Sequence, residues 1–212
     1  MKKIQIMKMR EMGGKNFDIQ DKMISFGIHV PDKPFEIKVE NAEEKFHNTM
    51  RELMKSRGKT YKAKDDYKQI TDWLSGSNGL GLALMGGCGL GKTIISKYVI
   101  PFIIAQEYGK VFSIYDSIRI SNMSKLEDIL RNKFIVLDDI GAEEVISDFG
   151  TRVDMFSIVM DSVEKENKTI IFNTNLDKSG IIERYNERVY ERIKATTKLA
   201  VITGESLRGG LK

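Results

Sequence analysis

Gly86-Gly87-Cys88-Gly89-Leu90-Gly91-Lys92-Thr93 matches the pattern G-x-x-x-x-G-K-[ST]. The spacing has a chemical reason. Glycines let the backbone curl so that successive N–H groups face one phosphate. A helix that starts at the lysine adds the positive end of its dipole. Lys92 is then aimed at β- and γ-phosphates, and the Thr93 hydroxyl at Mg²⁺. The alternative is a chance glycine-rich turn. Context argues against it: the apolar run Leu80–Met85 reads as a buried strand entering the loop, and Thr93–Tyr108 reads as a helix leaving it. All eight residues are therefore candidates for binding ATP. Cys88 stands at a variable position and is small enough to fit.

Downstream, short apolar runs alternate with helical patterns. Val111–Tyr115 reads as a strand, Met123–Arg131 as a short helix and Phe134–Leu137 as a strand that ends in Asp138-Asp139. A helix is expected from about Phe149 to Asn167, a strand at Thr169–Asn173, a helix at Ile181–Ile193 and a last strand at Leu199–Ile202. Pro101 should kink or interrupt the helix after the glycine loop. Wholly apolar strands separated by helices indicate an α/β fold, with a parallel sheet covered on both faces. In such sheets ligands lie at the carboxyl ends of the strands. Asp138 is thereby a candidate Mg²⁺ ligand and Asp139 a candidate general base. The alternative is a strand ending in a polar turn. Thr169–Asn173 runs into Thr174-Asn175, and an amide there can bind the attacking water and the γ-phosphate; by itself Asn175 reads better as a turn residue.

Upstream the signals are weaker. Residues 1–40 show little periodicity, although Phe35–Val39 alternates like a short strand. Ala42–Arg57 is helical, with Phe46, Met50, Leu53 and Met54 on one face, and Gly58 stops it. That stripe either packs on the protein's own core or enters a partner's groove. A second helix is expected over Lys64–Leu74, followed by the loop Ser75–Gly79. The expected division is an N-terminal arm over 1–59 and an ATPase domain over 60–212.

The composition restricts the classes. A chain of 212 residues buries one good core. Its net charge of +4 permits contact with single-stranded DNA without arguing for it. The run Lys55, Arg57, Lys59, Lys62, Lys64 and Lys68 offers DNA or an acidic partner a surface, or is a solvated face. Cys88 is the only cysteine, so an intrachain disulfide and a cysteine-based zinc site are excluded. His29 and His47 lack ligand-like neighbours. No apolar stretch reaches bilayer length, and the charged N-terminus has no secretory pattern. The expected location is the cytoplasm.

Taken in order, Gly81–Thr93, Ile135-Val136-Leu137-Asp138-Asp139-Ile140-Gly141-Ala142-Glu143, Phe172-Asn173-Thr174-Asn175-Leu176 and Glu187-Arg188-Val189-Tyr190-Glu191-Arg192-Ile193 resemble the AAA+ ATPase domain of bacterial helicase loaders. This is the DnaC/DnaI group, with the transposition helper IstB as a cousin. The resemblance spans about residues 60–210. It implies ATP hydrolysis with Mg²⁺, self-association around a shared site and a replicative DNA helicase as partner. It makes Asn175 a sensor that joins Lys92 and Asp139 in catalysis. Arg192 becomes an arginine finger serving a neighbouring copy, and Arg208 a candidate second sensor. Arginine suits such roles because its planar fork stays charged. Without the resemblance, Arg188 and Arg192 read as a solvated helix face paired to Glu187 and Glu191. The chain departs from the group in having room for only one short helix between Asp116 and Lys133. It also has no zinc-ligand cysteines near its start. The helical lid common among AAA+ proteins is expected to be reduced or absent, as in this subgroup. Other functional classes are a transposase-assisting ATPase of the IstB kind, a small-molecule P-loop kinase and a nucleotide-gated adaptor.

Overall fold

The computed structural model of the chain describes residues 19–120, 122–143, 146–148 and 151–204. The chain divides after Asp32, earlier than the boundary near residue 60 expected from the sequence. Within the first unit a short helix, α1 (Ile19–Ser25), carries no buried residue.

The second unit, from Lys33 onward, is built on a sheet of five strands in the order β2-β3-β6-β1-β7. These strands are β1 (Gly81–Met85), β2 (Ser113–Asp116), β3 (Phe134–Ile140), β6 (Thr169–Thr174) and β7 (Thr197–Val201). All pairings are parallel. Each strand is short, and β1 and β6 are buried throughout, as strands covered on both faces must be.

Helices cover both faces. One core gathers Phe46 and Met50 of α2 (Ala42–Ser56), Ile70 and Trp73 of α3 (Lys68–Ser75), and Ile95 and Ile103 of α4 (residues 92–108) against Leu82 and Leu84. Opposite lie α5 (Met123–Arg131), α6 (Met155–Glu166), α7 (Lys178–Tyr185) and α8 (Glu187–Thr196), which contribute Leu126, Phe156, Ile181 and Ile193. The α2 stripe thus packs on the protein's own core. Phe35–Val39 is extended, as its alternation suggests, and Ile37 and Val39 are buried. It is held by Val39 N–H to the Leu74 carbonyl at 2.8 Å and by a reciprocal pair with Ser77, Ile37 N–H to Ser77 Oγ and Ser77 N–H to the Ile37 carbonyl, each at 2.8 Å, and forms no strand of the sheet.

Three expectations need correction, and α4 is interrupted just before Pro101 by a π-helical turn. It runs through Lys92–Ile94, a π-helical turn at Ile95–Val99 and Ile100–Tyr108, so proline falls at the start of the last segment. The wider π turn re-registers the hydrogen-bond ladder where proline lacks its donor. The helix expected from Phe149 begins at Met155, capped by Asp154, whose side chain accepts from Ser157 N–H. Before it stands an antiparallel pair, β4 (Ile146–Asp148) and β5 (Thr151–Val153). The single helix expected at Ile181–Ile193 is two, separated at Asn186, which has φ 86° and caps α8 by accepting from Val189 N–H. The last strand starts earlier than expected, at Thr197.

Candidate nucleotide site

The glycine loop leaves β1 and opens α4. Gly86 has φ 143°, and a Cβ there would stand 2.1 Å from the Ile202 carbonyl oxygen, so only glycine fits. Gly91, at φ 93°, is the residue from which α4 starts. Lys92 is only 5 % exposed. Its ammonium donates to the carbonyls of Gly86 and Gly87, both at 2.7 Å, and to Asn175 Oδ1 at 2.8 Å. These bonds hold the lysine inside its own loop and tie the loop to the end of β6.

The end of β3 is irregular where the two acids stand. Its ladder with β6 shifts register between Leu137 and Ile140. Asp139 adopts φ 63°, a left-handed conformation that costs a non-glycine residue about 1 kcal/mol or more. Four bonds hold it there: its N–H donates to Asn173 Oδ1 at 3.0 Å, its carbonyl accepts from Ser117 Oγ at 2.7 Å and from Ala142 N–H at 3.2 Å, and its Oδ1 accepts from Asn175 Nδ2 at 2.9 Å. Asn175 therefore bridges Lys92 and Asp139.

Asp138 is 8 % exposed. Its Oδ1 accepts from Asn173 Nδ2 at 2.5 Å and its Oδ2 from Lys97 Nζ at 3.3 Å. Lys97 also donates to Asp116 Oδ1. Burial works against the Lys97 charge, but the Asp116 and Asp138 carboxylates outweigh it and hold the lysine pKa above its ordinary value.

A cavity of about 330 Å³ adjoins the glycine loop, Asp139 and the two amides. Its lining includes Met54, Lys59, Cys88–Thr93, Asp139, Asn173 and Asn175. The donors suit a nucleotide with Mg²⁺. Backbone N–H groups and a lysine are the donors that phosphates would need, and Thr93 and Asp138 are the hydroxyl and carboxylate that could hold a metal. Among the described residues no set of three or more His, Cys, Asp or Glu forms a metal cage.

Glu143, another acid near the loop, is committed elsewhere. Its carboxylate accepts from Gly141 N–H at 2.7 Å and from the Tyr185 hydroxyl, and its carbonyl accepts from Arg184. Burial, then the Glu143 carboxylate, pushes the Tyr185 pKa up. Arg192 stands apart from the cavity. It pairs with Asp161 and with Glu164, the latter at 2.8 Å, both on α6, rather than with Glu187 or Glu191 on its own helix. Arg208 lies outside the described residues.

Sequence reasoning passed over Asn173, which is 1 % exposed and holds Ser96 Oγ at 2.8 Å besides the two acids. A signal existed: an amide inside the buried run Thr169–Thr174 must find partners. It also passed over Lys97 and Asp116, which carried no such mark.

No protein-family model and no curated protein sequence matches the chain. Among solved structures it is similar to the DnaC helicase loader, at 20 % identity and a TM-score of 0.53, covering 76 % of this chain and 99 % of that one. It is also similar to DnaI, at 26 % identity and a TM-score of 0.50, covering 61 % and 73 %. With its parallel sheet, glycine loop and acid-tipped strand, the chain has the AAA+ P-loop fold of the DnaC and DnaI helicase loaders.

Proposed function

We propose that this chain is a Mg²⁺-dependent ATPase that acts as a loader of a replicative DNA helicase. The observation that carries the ATPase reading is the chain of contacts Lys92–Asn175–Asp139, which joins phosphate loop, sensor amide and acid in one cavity. Lys92 and the loop N–H groups would bind the phosphates. Thr93 and Asp138 would hold Mg²⁺, which supplies Lewis-acid charge to the phosphate oxygens when bound. Asn175 orients the attacking water, and the Asp139 carboxylate takes its proton. Arg192 is the finger offered to a second copy, for which its pairs with Asp161 and Glu164 must open.

Likeness to DnaI, at 26 % identity, supports the loader reading. Among the described residues no helix is long and apolar enough to cross a membrane, in keeping with work in the cytoplasm. Single-stranded DNA is a further proposed ligand, met through the basic run that includes Lys59 at the cavity wall. ATP turnover measured with and without DNA, with no metabolite present, tests the enzyme class. Co-purification of a replicative helicase with the full chain tests the partner. Turnover that needs a small-molecule acceptor would make it a kinase, and capture of a transposase without a helicase would make it a transposition ATPase.

A further inference from the structure

β2 and β3 are parallel neighbours in which Asp116 and Asp138 share a register position at the carboxyl edge. Two carboxylates brought together on one edge repel each other and raise the pull on any cation between them. Lys97 supplies that cation from within the protein. It donates to Asp116 Oδ1 and, at 3.3 Å, to Asp138 Oδ2, and its side chain is 17 % exposed. The lysine reaches this place because it lies on the π-helical turn Ile95–Val99. Such turns insert a residue into a helix, and they occur often at functional sites. Ser96, its neighbour on the turn, holds the Asn173 amide that grips the other oxygen of Asp138.

We infer that Lys97 is a positioning residue whose ammonium serves as a built-in counter-ion of Asp138, so that the Lys97–Asp116 pair sets the divalent-cation demand of the site. This rests on Asp138 being the metal ligand of the proposed ATPase. A cation arriving at Asp138 displaces the ammonium, and Asp116 is the carboxylate that receives it. The pair therefore acts as a parking place that makes the exchange reversible.

The inference predicts shifts of opposite sign from two substitutions. Lys97→Met removes the competitor and leaves two facing carboxylates, so metal affinity rises. Asp116→Asn removes the parking place and confines the ammonium to Asp138, so metal affinity falls. Each shift should be on the order of tenfold, the scale of a charge a few ångströms away under partial screening. The assay is Mn²⁺ titration followed by electron paramagnetic resonance, on the full chain, with Mn²⁺ alone and with Mn²⁺ plus ADP. Lys97→Met should bind Mn²⁺ even without nucleotide, more tightly than the parent. Lys97→Arg should return the parent's affinity. Unchanged affinity in both variants, or a shift of the same sign in both, overturns the inference. Fluorescent ADP binding with saturating Mg²⁺ is read alongside. If the parent fails to bind nucleotide, the ATPase reading falls, while the Mn²⁺-alone arm still decides whether Lys97 guards Asp138.

Discussion

Replacing Asn173 with leucine keeps the branching of the side chain, at a somewhat larger volume, and deletes every hydrogen bond of the amide. Three are lost: to Ser96 Oγ at 2.8 Å, to Asp138 Oδ1 at 2.5 Å and from Asp139 N–H at 3.0 Å. A neutral bond contributes about 1 kcal/mol net and one to a charged group about 2, so the sum is about 4 kcal/mol. Leaving a buried N–H and a buried carboxylate oxygen without partners pushes the loss upward rather than downward. Domains are stable by only about 5–15 kcal/mol, so the variant should fold but with much of its margin gone. With a urea slope of roughly 2 kcal/mol per molar, the midpoint falls by about 2 M. Trp73 is the only tryptophan and is buried, so its fluorescence reports the transition. Asn175→Ala is the contrasting case. Asn175 is exposed and its two bonds lie on the cavity wall, so the midpoint should move by less than about 0.5 M while ATP turnover falls on the order of 100-fold. If Asn173→Leu unfolds at the parent's midpoint, or Asn175→Ala is the less stable of the two, the division between a structural and a reacting amide is wrong.

Asp139→Asn should retain ATP binding and lose most turnover, because an amide is a poor base; unchanged turnover in a coupled phosphate assay would remove Asp139 from the chemistry. Arg192→Ala should bind ATP normally but turn over on the order of 10³-fold more slowly, and mixing it with Lys92→Ala should restore part of the rate. No recovery, with association of the two chains shown by sedimentation, would deny a finger acting between copies. A chain starting at Lys33 should keep ATP turnover and fail to co-purify with the helicase, whereas equal capture would put the recruiting surface on the ATPase unit. Cutting at residue 40 instead is a poor test, since it removes Ile37 and Val39 from the core.

The glycine loop and the acid-tipped strand were legible because their chemistry demands residue types at set spacings. Lys92, Asp139 and Asn175 meet where the motif order implies. The α2 stripe was legible as a stripe, but periodicity says which residues share a face and not what covers it. Elements whose identity turns on local backbone choices were not legible. Asn186 splits α7 from α8 by a cap within a pattern that keeps helical spacing across it. The π turn that aims Lys97 is a matter of hydrogen-bond register, which no residue type announces. Arg192 shows the limit from the other side: order along the chain suggested a finger, and the fold pairs that same side chain with Asp161 and Glu164.

The central claim is that ATP binds at the glycine loop and is held there by Lys92. Titration of fluorescent ATP with Mg²⁺ into the parent and Lys92→Ala, each shown folded by Trp73 fluorescence, tests it most directly. Saturable binding by the parent and at least about 100-fold weaker binding by the variant are expected, since charge-assisted bonds to phosphate contribute roughly 3 kcal/mol. Equal affinity of the two chains would contradict the account.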